Sequence, residues 1–321
     1  MRNNRLQNHI SESSFTLPLC IVLGLFAWFW NAGVGSFDYS LSSFMTLVVA
    51  SLTTFLVTEI ANKYSLLRVR SNMISAVWVL ALMLTPFTHT YSAGWVATLA
   101  IVGSYYILFM AYQLRQPVEH VFHTFVLLGI AVIAIPQLLI LVPMYYWYLL
   151  VFLRSLTWRS FWAGIVGLFL PMLFVLGWSI LVKDYSFLSG KWTSLMCTEL
   201  FGSQNYLWMM SFSNSEALIF IFLTLLTLIS IVHYLTNYYD DKISTRMYLY
   251  IYTMQSVVIW AMIMCMPNMY TLLAPVFLLN SCVMIAHFFA LTGSWISNAF
   301  FCLTMIATVL LTLINFGIWK L

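Results

Sequence analysis

About ten apolar runs of roughly 18 to 22 residues follow one another along this chain, each near the ~20 that a helix rising ~1.5 Å per residue needs to cross ~30 Å of hydrocarbon. Short polar joints separate them, and no other feature restricts the fold as much. Inside lipid every backbone donor and acceptor must find its partner within the segment, and the runs lack the in–out alternation of barrel strands, so the crossings are read as helices. Of the 321 residues 63% are apolar and only 7% charged, which leaves too little polar surface to cover a water-soluble globule of this size. The expectation is an all-α, polytopic transmembrane bundle of about ten or eleven helices with short loops, residues 1–321 making one integral membrane domain.

The runs fall at 17–34, 41–61, 72–87, 94–114, 161–182, 216–236, 247–266, 268–290 and 294–318. Between Arg115 and Arg154 lie 38 residues, too many for one helix and barely enough for two crossings. That stretch opens RQPVEHVFHTF, is interrupted by Pro136 and Pro143, and ends YYWYLLVFLRSLTWRS. Arginine at both ends makes residues 115–159 a short helical hairpin turning near Pro136 and Gln137, either spanning or re-entrant, because proline removes an amide donor and breaks the ladder. Residues 1–16 form a polar segment ahead of the first run. The joint 183–215 is rich in aromatic rings, which suit the depth of lipid headgroups.

Charge sets the orientation. With the amino terminus inside, one side receives Arg2, Arg5, Lys63, Arg68, Arg70, Arg115, Arg154, Arg159, Lys242 and Arg246, and the other Lys183, Lys191 and Lys320, ten against three. An excess of cations marks the cytoplasmic face, so the amino terminus is expected in the cytoplasm and the loop 183–215 outside. The net charge of +4 is spread over helix ends, and with no soluble basic domain nucleic acid is not an expected partner.

Three groups of polar residues are candidates for chemistry. On a helix Glu119 and His123 share a face, as do His120 and His123. Two imidazoles and a carboxylate suit a headgroup contact or a helix start, in which Gln116 caps, Pro117 takes the first helical position and Glu119 meets the positive end of the dipole. Arg68, Arg70, Arg115, Arg154 and Arg159 form a basic rim that orients the chain or holds a lipid phosphate. Asn280 and His287, seven residues apart, lie on one face of the tenth helix, where they line a polar path or hydrogen-bond a neighbouring helix. The cysteines show no metal or redox spacing, and no nucleotide-binding glycine loop, serine–histidine–acid order or HExxH is present. No metal or cofactor is therefore expected.

The segments LLRVRSN (66–72) and, above all, FLRSLTWRSFWAGIVGLFLP (152–171) resemble a family of multi-pass inner-membrane proteins of Bacteroidetes-type bacteria. That resemblance covers about the middle half of the chain and implies location and topology, a bacterial inner membrane, without an assigned reaction. A weaker resemblance is to polyprenyl-phosphate-sugar glycosyltransferases, which place an acid in the first external loop, where Asp38 stands here. It implies Asp38 as an acid or base and a polyprenyl phosphate as carrier, although the loop is short and no large external domain follows. The leading expectation is a cell-envelope component that binds a membrane lipid or another membrane protein. Glycosyl transfer and small-molecule transport are the alternatives.

Overall fold

The computed structural model of the chain describes residues 7, 10, 13, 15–31, 36–37, 40–69, 71–183, 190, 214–266 and 269–315. Among them are eleven α-helices: α1 (Thr16–Phe29), α2 (Leu41–Lys63), α3 (Met73–Leu84), α4 (Ala93–Met110), α5 (Val118–Ala134), α6 (Leu141–Trp147), α7 (Trp158–Val182), α8 (Asn214–Asn237), α9 (Ile243–Cys265), α10 (Tyr270–Leu291) and α11 (Trp295–Asn315). The all-α expectation holds. Seven of the helices are long and apolar enough to cross a membrane, and the chain is a multi-pass membrane protein.

The first run ends early. α1 stops at Phe29, and Trp30–Asn31 pairs antiparallel with Ser36–Phe37, so the end of the expected helix closes a small hairpin of two-residue strands, β1 and β2. α5 also starts differently from the capping scheme above: Pro117 stands at the cap position, no side chain caps the helix, and Gln116 is exposed. Glu119 does lie in its first turn, where a carboxylate favours the positive end of the dipole.

The chain resolves into two compact units, one of Met1–Tyr91, Leu207–Ala261 and Phe277–Leu321, the other of Ser92–Tyr206 and Met262–Val276. In the second unit the chain turns back after α5. Pro136 opens a 3-10 turn, Pro136–Ile140, which leads into α6 and a π turn, Tyr148–Phe152. The Gln113 amide then donates to the Leu153 carbonyl at 2.9 Å, so the segment leaves and returns at one end. Its first arm, α5, has 17 residues and is about 25 Å long.

Small residues let the hairpin pack against α7. A Cβ on Gly129 would stand 2.6 Å from the Leu168 carbonyl oxygen, and one on Gly167 2.5 Å from that of Phe122. The two backbones touch at both places, which only glycine permits. The fully buried Tyr145 of α6 meets Ser104 of α4 at 2.7 Å between hydroxyls, so its polar end is satisfied.

Candidate functional site

In the first unit the helix joints gather at two ends. At one end Thr245 donates to the Ser65 carbonyl at 3.3 Å, and Gln7 reaches the joint after α10 by donating to the Thr292 carbonyl at 3.1 Å. At the other, the Trp28 and His89 rings stack with centroids 4.1 Å apart, and the Tyr91 amide donates to the Ser42 hydroxyl at 3.0 Å. The described cations of this unit, Lys63, Arg68, Lys242 and Arg246, all belong to the first end.

That end is tied by a charge cluster around Asp241, which follows the 3-10 turn Tyr238–Asp240 and precedes α9. Its carboxylate is fully buried. One oxygen accepts from Arg68 Nε at 2.5 Å, and the other lies 3.2 Å from His287 Nε2 of α10. Arg68 Nη1 also lies 3.5 Å from the exposed Asp240. Burial pushes the Asp241 carboxyl up, but the hydrogen bonds and charges of His287 and Arg68 outweigh it and hold the group below its ordinary value. From the first turns of α9, Arg246 donates back to the Asp241 carbonyl at 2.7 Å and to that of Tyr239 at 2.5 Å. Tyr234 donates to the Arg246 carbonyl at 3.0 Å and sets its ring against the edge of His287. The polar groups of the cluster are partnered, Asp241 by Arg68 and His287 and Arg246 by two backbone carbonyls, as burial requires. The exception is His287 Nδ1, buried and without a hydrogen-bond partner among the described residues.

The structure thus brings two of the candidate residues, Arg68 and His287, onto a third that the sequence reading passed over. Asp241 sits in a run, YYDDK, that reads as an ordinary hydrophilic turn; its signal was an acid pair amid cations at a membrane boundary. Asn280 is fully buried two turns deeper on α10. Arg115, Arg154 and Arg159 belong to the second unit and are exposed, Arg154 in the left-handed region at φ 49°. In α5 Glu119 and His123 are exposed and His120 is half-buried. Asp38, Arg70 and most of the joint 183–215 lie outside the described residues.

The first unit also carries a groove of about 390 Å³ walled by α1, α3 and α11. Each helix contributes one face at the three- and four-residue spacing of a helical stripe: Thr16, Leu19, Cys20 and Leu23 on α1, Met73, Ala76, Val77 and Leu80 on α3, and Met305, Thr308, Val309 and Thr312 on α11. Leu19, Leu23 and Val309 are exposed, so the groove opens on the surface. A small extension of about 40 Å³ continues past Val77 and Leu80 to Phe222, Leu226 and Phe289.

The hydroxyls in the wall are already used. Thr16 donates to the Ile10 carbonyl at 2.6 Å, Thr308 to that of Met305 at 2.7 Å, and Thr312 to that of Thr308, while Ser13 accepts from the Phe15 amide at 3.2 Å. No carboxylate, amine, guanidinium or imidazole of a described residue lines the groove. The wall therefore presents mostly alkyl surface, with hydroxyls turned to nearby backbone, which suits a hydrocarbon chain better than a polar solute. No protein family, curated protein or solved structure matches the chain, so its chemistry is read from these two features of a multi-pass membrane protein.

Proposed function

We propose that this protein is a lipid-binding component of a bacterial cell envelope, set in the inner membrane with its amino terminus in the cytoplasm, and that it takes a hydrocarbon chain of a membrane lipid into the groove between α1, α3 and α11. The observation that carries this reading is a surface groove in a membrane protein whose hydroxyls are all bonded to its own backbone. The inner-membrane family suggested by residues 66–72 and 152–171 supports the location. The gathering of Lys63, Arg68, Lys242 and Arg246 at the amino-terminal end of the first unit supports the orientation. The Asp241 cluster serves this reading as a tie between helix joints, since both carboxylate oxygens are occupied.

The test is retention of lipid by the purified protein. Native mass spectrometry of protein extracted in mild detergent is expected to show a bound lipid, and Leu80→Trp, which fills the groove, to lose it. Val166→Trp on the exposed face of α7 is expected to keep it. Equal lipid in the two variants would remove the basis for the proposal.

A further inference from the structure

One buried residue lies far in sequence from the helix end to which it is bonded. Gln7 is 1% exposed. Its side-chain amide donates to the Phe289 carbonyl at 2.6 Å, the Thr292 carbonyl at 3.1 Å and the Thr292 hydroxyl at 2.8 Å. Its side-chain oxygen accepts from Ser297 at 3.2 Å, and its backbone amide donates to the Asn298 side chain at 3.1 Å. The last carbonyls of a helix lack partners within it, and at the end of α10 an amide from the other end of the sequence fills that role.

The same contacts bear on the groove. Phe289, whose carbonyl takes the shortest of these bonds, also borders the groove's extension. Just beyond Gln7, Ile10, Ser13, Phe15 and Thr16 line the groove, and the Thr16–Ile10 hydrogen bond holds them to the start of α1. α1 packs on α3, and most of its other residues are exposed or half-buried. We infer that Gln7 is a positioning residue for the lipid groove: by capping α10 it fixes the α1 wall against α11, and so sets how long a hydrocarbon chain stays bound. This rests on the lipid-binding reading above. It adds the residue that governs release.

The experiment uses the full chain in detergent micelles loaded with a pyrene-acyl phospholipid, with release followed as transfer to excess unlabelled vesicles. Gln7→Met keeps the length and removes the amide. Release from it is expected about tenfold faster than from the wild type, the change that losing one or two such hydrogen bonds brings. Thr292→Val, which removes one acceptor of the Gln7 amide and is not itself a lining residue of the groove, is expected to shift release in the same direction by less. A distance between spin labels at Ile10→Cys and Val309→Cys is expected to lengthen and broaden in Gln7→Met, while that between Leu80→Cys and Val309→Cys stays put, a local change that general loosening would not give. If Leu80→Trp binds the probe as the wild type does, the groove is not the lipid site and both readings fall. If Leu80→Trp excludes the probe but Gln7→Met and Thr292→Val release it at the wild-type rate, the role of Gln7 alone is overturned.

Discussion

His287 Nε2 and Asp241 Oδ2, 46 residues apart in sequence, lie 3.2 Å apart in a buried contact that joins the middle of one helix joint to the last turns of α10. Arg68 brings a second joint to the same carboxylate. The first unit is thereby closed at its cation-rich end by charge, where its other elements are held by apolar packing. α10 is 94% buried along its apolar length, so a tie at its end acts on the most enclosed of the seven long apolar helices among the described residues.

Removing the carboxylate leaves a guanidinium and an imidazole facing each other without their anion. Asp241→Ala is expected to lower stability by roughly 2–4 kcal/mol, less than for a wholly buried pair because Arg68 is about a third exposed. In a double-mutant cycle, Asp241→Ala and His287→Ala are expected to be non-additive. Thermal unfolding in detergent measures both, and additive losses would show that the two groups do not interact.

Acid acts on the same tie. Because Asp241 is held below its ordinary value in the folded protein, unfolding takes up a proton in the interval between its folded and unfolded values. The stabilisation is present above about pH 4 and is lost as pH falls through the folded value. Asp241→Asn is expected to flatten the acid limb of the stability profile below that pH; an unaltered limb would assign the acid sensitivity elsewhere.

At the opposite end of the first unit, His89 stacks on Trp28 and its Nε2 lies 3.0 Å from the Leu82 carbonyl. Burial pulls its imidazole down to about 4, against the upward pull of the Leu82 and Trp28 carbonyls. The folded protein holds His89 neutral while the unfolded chain charges it below about 6.5, so stability declines as pH drops from about 6.5 toward 4. The full loss is up to roughly 3 kcal/mol. His89→Phe, which keeps the stacked ring, is expected to remove this dependence, and a persisting slope between those pH values would contradict the assignment.

Gly129 and Gly167 mark backbone contact between α5 and α7. A valine at either forces the helices apart and is expected to cost roughly 1–3 kcal/mol or more. Gly177 of α7, with open space around its Cβ position, is the control, and Gly177→Ala is expected to be neutral or slightly stabilising. Comparable losses at all three positions, measured by thermal unfolding, would contradict the packing.

The hydrogen bond from Gln113 to Leu153 places the two ends of the hairpin together. Single cysteines at Arg115 and Arg154 are therefore expected to react with a membrane-impermeant maleimide from the same side. Labelling from opposite sides would require an odd number of crossings between them.

Much of this protein could be read from its order of residues. Hydrocarbon demands that each crossing satisfy its own backbone, so run length and apolarity sufficed for an all-α bundle of helices. Local signals of that kind are written within a few turns of chain. The end of α1 at Phe29 was misjudged because Trp30 and Asn31 are apolar or small enough to continue a run, and only the pairing with Ser36 and Phe37 stops it.

What the sequence could not contain was which polar residues meet. His287 was visible as a costly group in an apolar helix, and Arg68 as one of several boundary cations, but their common partner Asp241 lay in an unremarkable turn. Gln7 gave no signal at all, since its partners stand some 280 to 290 positions away. The groove likewise needed three helical faces brought side by side, and whether a threonine presents its hydroxyl or its methyl depends on which carbonyl lies one turn back. Composition and periodicity are properties of the chain itself and decided the medium and the helices. Partnership is a property of distance in space, and the tertiary structure alone decided it.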